Sequence, residues 1–274
     1  MSQPPPGEHA PQGGGLRVAL LTQEDPFYLP PALDQLCQKR GRDVVALIIL
    51  PAFNESLTST AKRLYEFYGP VDFLRLAARY AGAKVADAVN RRMPLTRPFS
   101  AEDVARRHRI PVHHPERVNA PGFVEVLRTL IRPDVLVSVA ASQVLKRPIL
   151  EVPRLGCINL HSAPLPRYQG MMPNFWTLVH GEPEAAVTVH YMVERLDAGD
   201  IILQRSVPIH RTDSLHKLMV RSKRIGVEAL LEAIDRIEAG TVTARPMDAS
   251  LATYFSFPTR ADARRLRERG HRLL

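Results

Sequence analysis

Two short stretches carry the side chains best suited to chemistry. One is Asn159-Leu160-His161, at the end of an apolar run; the other is Leu196-Asp197-Ala198-Gly199, further along the chain. Successive residues of a strand point to opposite faces, so Asn159 and His161, two apart, share one face. An amide and an imidazole aimed into one crevice suit acyl transfer. When an amine attacks an acyl carbonyl, the oxygen takes on negative charge, and an Asn N–H and a protonated His can both donate to it. A carboxylate is then needed to orient or charge the imidazole and to handle the proton the amine loses. The candidate lies in Glu194-Arg195-Leu196-Asp197-Ala198-Gly199-Asp200, a turn whose Ala198 and Gly199 let the backbone approach a ligand closely. On the residues alone a second reading stays open, in which His161 is a packed strand histidine. His190, upstream of the Asp197 turn, is open in the same way between support of the site and plain packing.

These residues need a rigid frame. Pro164, Pro166 and Gly170 fix the backbone path after His161. Upstream, Arg17–Leu21 reads as a buried strand, Thr22–Pro26 as a loop, Pro31–Lys39 as a helix and Val44–Leu50 as a second apolar strand, which is the opening of a parallel α/β sheet. Residues 54–95 are amphipathic at helical spacing and predict two or three helices inserted between sheet elements. Ser100 with Asp103 opens a helix to His108. Short strands are expected at Pro111–His113, Val135–Val139, Cys157–Leu160, Ala186–Met192 and Ile201–Ile209, with a helix over Pro121–Leu130. Asp213 is expected to cap a long helix to Ala239, with Gly240 just past its end. A basic helix follows from about Asp262. Ligands of open α/β sheets sit beyond the carboxyl ends of the strands, which singles out the segments after Leu21, Val139 and Leu160. No GxGxxG follows the first strand, so the dinucleotide fingerprint is absent.

Composition narrows the class. The chain has 274 residues with a 45% apolar fraction, enough for a core without staples. Its two cysteines, Cys37 and Cys157, form no CxxC pair and read as reduced, buried thiols of a cytoplasmic protein. No apolar run is long enough to span a membrane, and residues 1–15, rich in Pro and Gly, read as a disordered lead-in rather than a secretory signal. The net charge of +9 is read as a solvated basic face and terminal helix, since no RNA-binding signature accompanies it. No metal site is expected, because the ten histidines, His113-His114 included, lack ligand spacing.

Taken together, Asn159-Leu160-His161, Leu165-Pro166-Arg167-Tyr168-Gln169-Gly170, Leu196-Asp197-Ala198-Gly199 and Asp200-Ile201-Ile202-Leu203-Gln204 resemble the formyltransferase domain shared by methionyl-tRNA formyltransferase, glycinamide ribonucleotide transformylase and sugar N-formyltransferases. The likeness covers about residues 105–240. It implies a Rossmann-like α/β fold with a mostly parallel sheet flanked by helices, and an enzyme that moves a formyl group from 10-formyltetrahydrofolate to a primary amine. By this resemblance Asn159 and protonated His161 stabilise the tetrahedral intermediate, with Asp197 assisting. The pterin would lie against Ala140, Ala141, Ser142, Gln143, Val144 and Leu145, and against the loop holding Met192, Glu194 and Leu196, with main-chain groups as its partners. The likeness departs at Ser162–Pro166, in the loop Thr22–Phe27, and over 54–95, and the last two border the acceptor.

The domain reading is a tail over 1–15, a catalytic domain over 16–245 with a helical insertion over 54–95, and a short basic extension over 246–274. The expected partners are a small-molecule amine and tetrahydrofolate, with room for a homo-oligomer and no membrane. Methionyl-tRNA enzymes append a C-terminal domain that this chain has little room for, so transfer RNA is the less expected acceptor. Alternatives on the same scaffold are a 10-formyltetrahydrofolate hydrolase, a truncated methionyl-tRNA formyltransferase-like enzyme, and an inactive folate-binding module.

Overall fold

The structure, a computed structural model, describes residues 15–51, 57–93 and 97–274. The tail expected over 1–15 lies outside the described residues but for Gly15, as do 54–56 and 94–95 of the expected insertion.

The apolar runs become the strands of one seven-stranded sheet. Strands β1 (Val18–Gln23), β2 (Val44–Leu50), β3 (Val112–His113), β4 (Val135–Val139) and β5 (Cys157–His161) are all parallel, in the order β3-β2-β1-β4-β5. After the short strand β6 (Gln169–Gly170), strands β7 (Glu184–Tyr191) and β8 (Ile201–Pro208) extend the sheet as an antiparallel pair beside β5. The sheet is thus mostly parallel with a late hairpin, as the sequence pattern predicts. The inner strands read as unbroken Val, Leu and Ile because both faces are covered. Strand β1 runs two residues past the expected Leu21. Thr22 and Gln23, expected in a loop, pair with Ile49 and Leu50.

Helices cover both faces. Val18 and Leu20 of β1, with Ile158 and Leu160 of β5, meet the layer of α1 (Leu29–Arg40) and α7 (Leu215–Glu238). Ala19 and Leu21, with Cys157, meet the layer of α4 (Pro121–Val126) and α5 (Arg147–Leu150). The helix expected over Pro121–Leu130 changes character at Leu127. There it widens into a π turn, Leu127–Ile131, and stops at Arg132, φ 49°. The cap of α7 is Ser214, whose hydroxyl accepts the N–H of Lys217, and not the expected Asp213. Asp213 is already engaged by Arg221 at 3.0 Å and by the N–H of His210 at 2.8 Å.

The expected insertion is helix α2 (Leu57–Asn90), broken at Gly69. A residue before proline avoids helical angles, and Gly69 takes φ 76° and ψ 170° ahead of Pro70, a conformation open to glycine. The half before the break is anchored by Phe67, 1% exposed, whose ring meets Tyr68 at 4.9 Å, Phe175 of α6 (Pro173–His180) at 5.3 Å and Phe257 at 5.4 Å. The half after it runs toward α3 (Ala101–His108), where Asp87 accepts from Ser100 at 2.6 Å. The segment 246–274 enters the same core. Strand β9 (Tyr254–Phe255) pairs with β6, and α8 (Arg260–Glu268) buries Ala263 and Leu266. Replacing Phe67 by Ala is expected to cost about 3–5 kcal/mol. Urea unfolding would read this, and a loss under 1 kcal/mol would show that the first half of α2 is peripheral to the core.

Candidate active site

Strand β5 delivers Asn159 and His161 to its carboxyl end. In the antiparallel pairing with β7, Asn159 stands opposite His190 and His161 opposite Thr188. The His190 Nδ1 lies 2.7 Å from the carbonyl of its neighbour Tyr191. A carbonyl only accepts, so Nδ1 carries the proton and Nε2 offers a lone pair. Asn159 Nδ2 lies 3.2 Å from that Nε2 and donates one N–H into it, which leaves its second N–H for the crevice. Burial pushes the His190 imidazole down to about 4. Asp197 pulls it the other way, and His161 adds to the lowering.

His161 is fixed by the same logic. Its Nε2 lies 2.9 Å from the carbonyl oxygen of Tyr168, so Nε2 holds a proton and donates it. Nδ1 then faces Asp197 Oδ1, 3.7 Å away. Asp197 is itself held: its Oδ2 accepts the N–H of Gly170 at 3.0 Å, and its carbonyl accepts from Gln169 at 2.9 Å. His161 and Asp197 are 7% and 8% exposed, so the pair works largely out of water. Both Tyr168 (φ 63°) and Asp197 (φ 49°) sit in the left-handed region, as does Ala140 (φ 58°). Backbone strain of this kind gathers at functional sites. Gly199 completes the turn. A Cβ there would stand 2.0 Å from the carbonyl oxygen of Tyr191, so only glycine closes this loop.

The expected Asn159, His161 and Asp197 therefore meet, and His190 joins them as a support. The expected pterin loop is beside them, since β4 pairs with β5 and Ala140–Leu145 follows β4. Three of its residues are committed to the loop's own shape. Ser142 donates to the carbonyl of Pro51 at 2.8 Å, and Gln143 accepts from Val118 N–H and donates to Glu116. The carbonyl of Val144 accepts from Asn119 at 2.8 Å, while its side chain is half exposed. Leu145 is buried. No backbone group of this loop bonds another backbone group among the described residues. Glu194 takes the N–H of Arg147 at 3.2 Å and so links the Asp197 turn to this loop, with Leu196 exposed and Met192 packed against the α4–α5 side.

A second group of residues lies on the other side of the sheet edge and was not legible as a set. Asp25, just past β1, accepts the N–H groups of Phe27 at 2.6 Å and Tyr28 at 2.8 Å. Burial raises its pKa against those bonds and against nearby Lys223. Lys223 of α7 is pushed down by burial while Asp25 opposes the shift, and the residue as a whole is partly exposed. Arg79 of α2, which can only donate, gives an N–H to His216 Nε2 at 3.0 Å, so His216 Nδ1 holds the ring proton and donates to the Tyr28 hydroxyl at 2.9 Å. Burial raises the Tyr68 phenol to about 12, with Asp25 adding to the shift. One signal existed in the sequence. Lys223 falls between Met219 and Val227 on the apolar face of α7, where a charge has a reason to be.

Residues 70–234 match the family model described as formyl transferase. The match starts at Pro70, inside α2. The chain is 40% identical over 151 residues to a methionyl-tRNA formyltransferase of Geobacter metallireducens, and 41% identical over 150 residues to one of Syntrophus aciditrophicus. Each alignment covers 55% of this chain and 48% of the relative, so the chain is matched to about half the length of these relatives. Among solved structures, glycinamide ribonucleotide transformylase 1 from Symbiobacterium toebii superposes with a TM-score of 0.58 at 19% identity, covering 89% of this chain and 100% of that one. An N-formyltransferase from Helicobacter canadensis, in complex with folinic acid and dTDP-3-aminofucose, gives 0.56 at 17% identity, covering 88% of this chain and 71% of that one. At these identities the two structures establish the fold.

A pH dependence follows from His190. Its native pKa is below the ordinary 6.5, so between about pH 6.5 and pH 4 the unfolded chain binds a proton that the native state refuses. Stability from this group is full above that window and is lost as pH falls through it. The urea midpoint should drop as pH goes from 7 to 5, and His190→Gln should flatten the slope. An unchanged slope in that variant would mean that His190 is not the group responsible.

Proposed function

The chain belongs to the formyl transferase family, and on that premise we propose that it transfers a formyl group from 10-formyltetrahydrofolate to a primary amine. The observation that carries the reading is the meeting of Asn159, His161 and Asp197, with both imidazoles held in defined tautomers. In its protonated form His161 donates from Nδ1, and Asn159 donates from the N–H that His190 leaves unused. Together they suit the carbonyl oxygen of the formyl group as charge develops on it. Asp197, 3.7 Å from His161 Nδ1, holds the imidazolium and accepts the proton that the attacking amine gives up. The amine nitrogen bonds to the formyl carbon, the bond to the folate nitrogen breaks, and that nitrogen leaves as tetrahydrofolate with the proton that Asp197 took from the amine.

The loops fit such a donor. The flat pterin suits the slot between Ala140–Leu145 and the turn with Met192, Glu194 and Leu196, where apolar side chains adjoin peptide groups that bond no other peptide group among the described residues. The acceptor belongs on the α1–α7 side, beside Asp25, Tyr68 and Lys223, so that formyl passes over the sheet edge from one layer to the other. An amine of a small molecule is the reading we favour, because α2 roofs that side: Tyr80 meets the ring of Phe27 and Arg79 meets His216. Aminoacyl-tRNA is the second reading, favoured by the methionyl-tRNA formyltransferases among the relatives.

Turnover of 10-formyltetrahydrofolate, followed spectroscopically with a panel of small amines, with methionyl-tRNA and with buffer alone, tests the proposal. Amine-dependent turnover is expected. Turnover in buffer alone would replace the transferase by a hydrolase, and folate binding with no turnover by an inactive module. His161→Ala should lower kcat about 10²–10³-fold. Asp197→Asn should abolish turnover and keep folate binding; near-native kcat would remove Asp197 from the reaction.

A further inference from the structure

The half of α2 after the break presents two unlike faces. Its inner face carries Leu76, Ala83, Asp87 and Asn90 toward the body of the protein. Its outer face is apolar without interruption. At 100° per residue, Val71, Leu74, Ala78, Ala81, Val85 and Ala88 form one stripe, and no charged or polar side chain stands between them. All six are exposed, Val71 at 60%, Leu74 at 67% and Val85 at 65%, and Val89 beside them at 42%. Solvent-facing helix surfaces ordinarily carry charge, and a continuous apolar stripe marks a place that another surface covers.

We propose that this stripe is where two copies of the chain associate, as an antiparallel helix pair about a two-fold axis between Ala78 and Ala81. The spacing supports a helical partner. Steps of three and four residues, from 71 to 74, 78, 81, 85 and 88, are the repeat of a two-helix seam. The composition supports a copy of itself. In this arrangement Leu74 of one chain meets Val85 of the other, Val71 meets Ala88, and Ala78 meets Ala81. Larger side chains therefore fall at the ends and small ones at the crossing, where the backbones come closest.

Charge does not oppose the pairing. Arg75 and Lys84 flank the stripe on opposite sides. Antiparallel pairing sets Arg75 over Gly82 of the partner and Lys84 over Ala77 of the partner, so the long stems cover small residues instead of facing each other. Arg75 is also balanced within its own chain by Asp72 at 3.2 Å. A seam about 30 Å long removes on the order of 1,000 Å² of surface from the pair, the lower range for a specific interface. The association should therefore be reversible, with a Kd on the order of micromolar.

Sedimentation velocity of the full chain across a concentration series tests this. The unmodified protein should be dimeric at about 100 µM, well above that Kd. L74E and V85K should each be monomeric there, with unchanged circular dichroism and the Tm that the unmodified protein shows when diluted below that Kd, because both positions face solvent. The double variant L74E/V85K brings opposite charges together across the axis twice and should pair again. A monomeric unmodified protein, a dimer that survives L74E, or a double variant that stays monomeric would each overturn the proposal.

Discussion

The hydrogen bond from His161 Nε2 to the carbonyl of Tyr168 decides which edge of the imidazole meets the crevice. Because that carbonyl can only accept, Nε2 is spent as a donor, and Nδ1 is turned toward Asp197. Much of the neighbourhood serves to keep that one carbonyl in place. Tyr168 adopts a left-handed backbone, its N–H donates to Thr253, and its hydroxyl donates to Glu182 at 2.6 Å. Two residues on, Gly170 turns its N–H onto Asp197, so one short loop fixes both members of the pair. His190 does the equivalent for Asn159, and burial keeps that support neutral.

The parallel sheet supplies the other constraint. Strands alternate their side chains, so each strand end offers one residue to each helix layer. Asn159 and His161 follow Cys157 on the α4–α5 side, with Ala141 and Met192 packed against the same layer. Asp25 and Lys223 belong to the α1–α7 side. The edge of the sheet is thus a ridge between two chemically different slopes, lined with apolar side chains on one and charged and half-buried on the other.

What the sequence revealed depended on distance along the chain. Asn159, His161 and the Asp197 turn were legible because each is local: a period of two at a strand end, and a small-residue turn. The strands Val44–Leu50 and Val135–Val139 stand where the pattern put them, since apolar runs bounded by polar residues leave little choice. Two of three departures share a cause. Thr22 and Gln23 joined β1, Ser214 displaced Asp213 as a cap, and the helix after Pro121 widened at Leu127. In the first two a partner far along the chain or across a loop outvoted the local preference, and for the π turn we have no account. The group around Asp25, Lys223, Tyr68 and His216 was illegible for the same reason. Its members come from a loop, α7 and α2, and only the fold assembles them. In the loop Ala140–Leu145, the side chains of Ser142 and Gln143 bind neighbouring segments and shape the loop, contacts that no local pattern announces.

Strand β9 has a bearing on how the protein is made. It pairs with β6, Thr253 holds the N–H of Tyr168, and the carbonyl of Thr253 takes the N–H of Gln169. A chain emerging from the ribosome completes β1 to β8 and α7 well before these residues appear. Until they do, the loop that presents Tyr168 and Gly170 lacks one wall, and the imidazole has no settled partner. The frame of the sheet is therefore synthesised before the segment that braces the Tyr168 loop. A nascent chain would carry the scaffold with Tyr168 and Gly170 still unsupported until residues 253–255 have been translated.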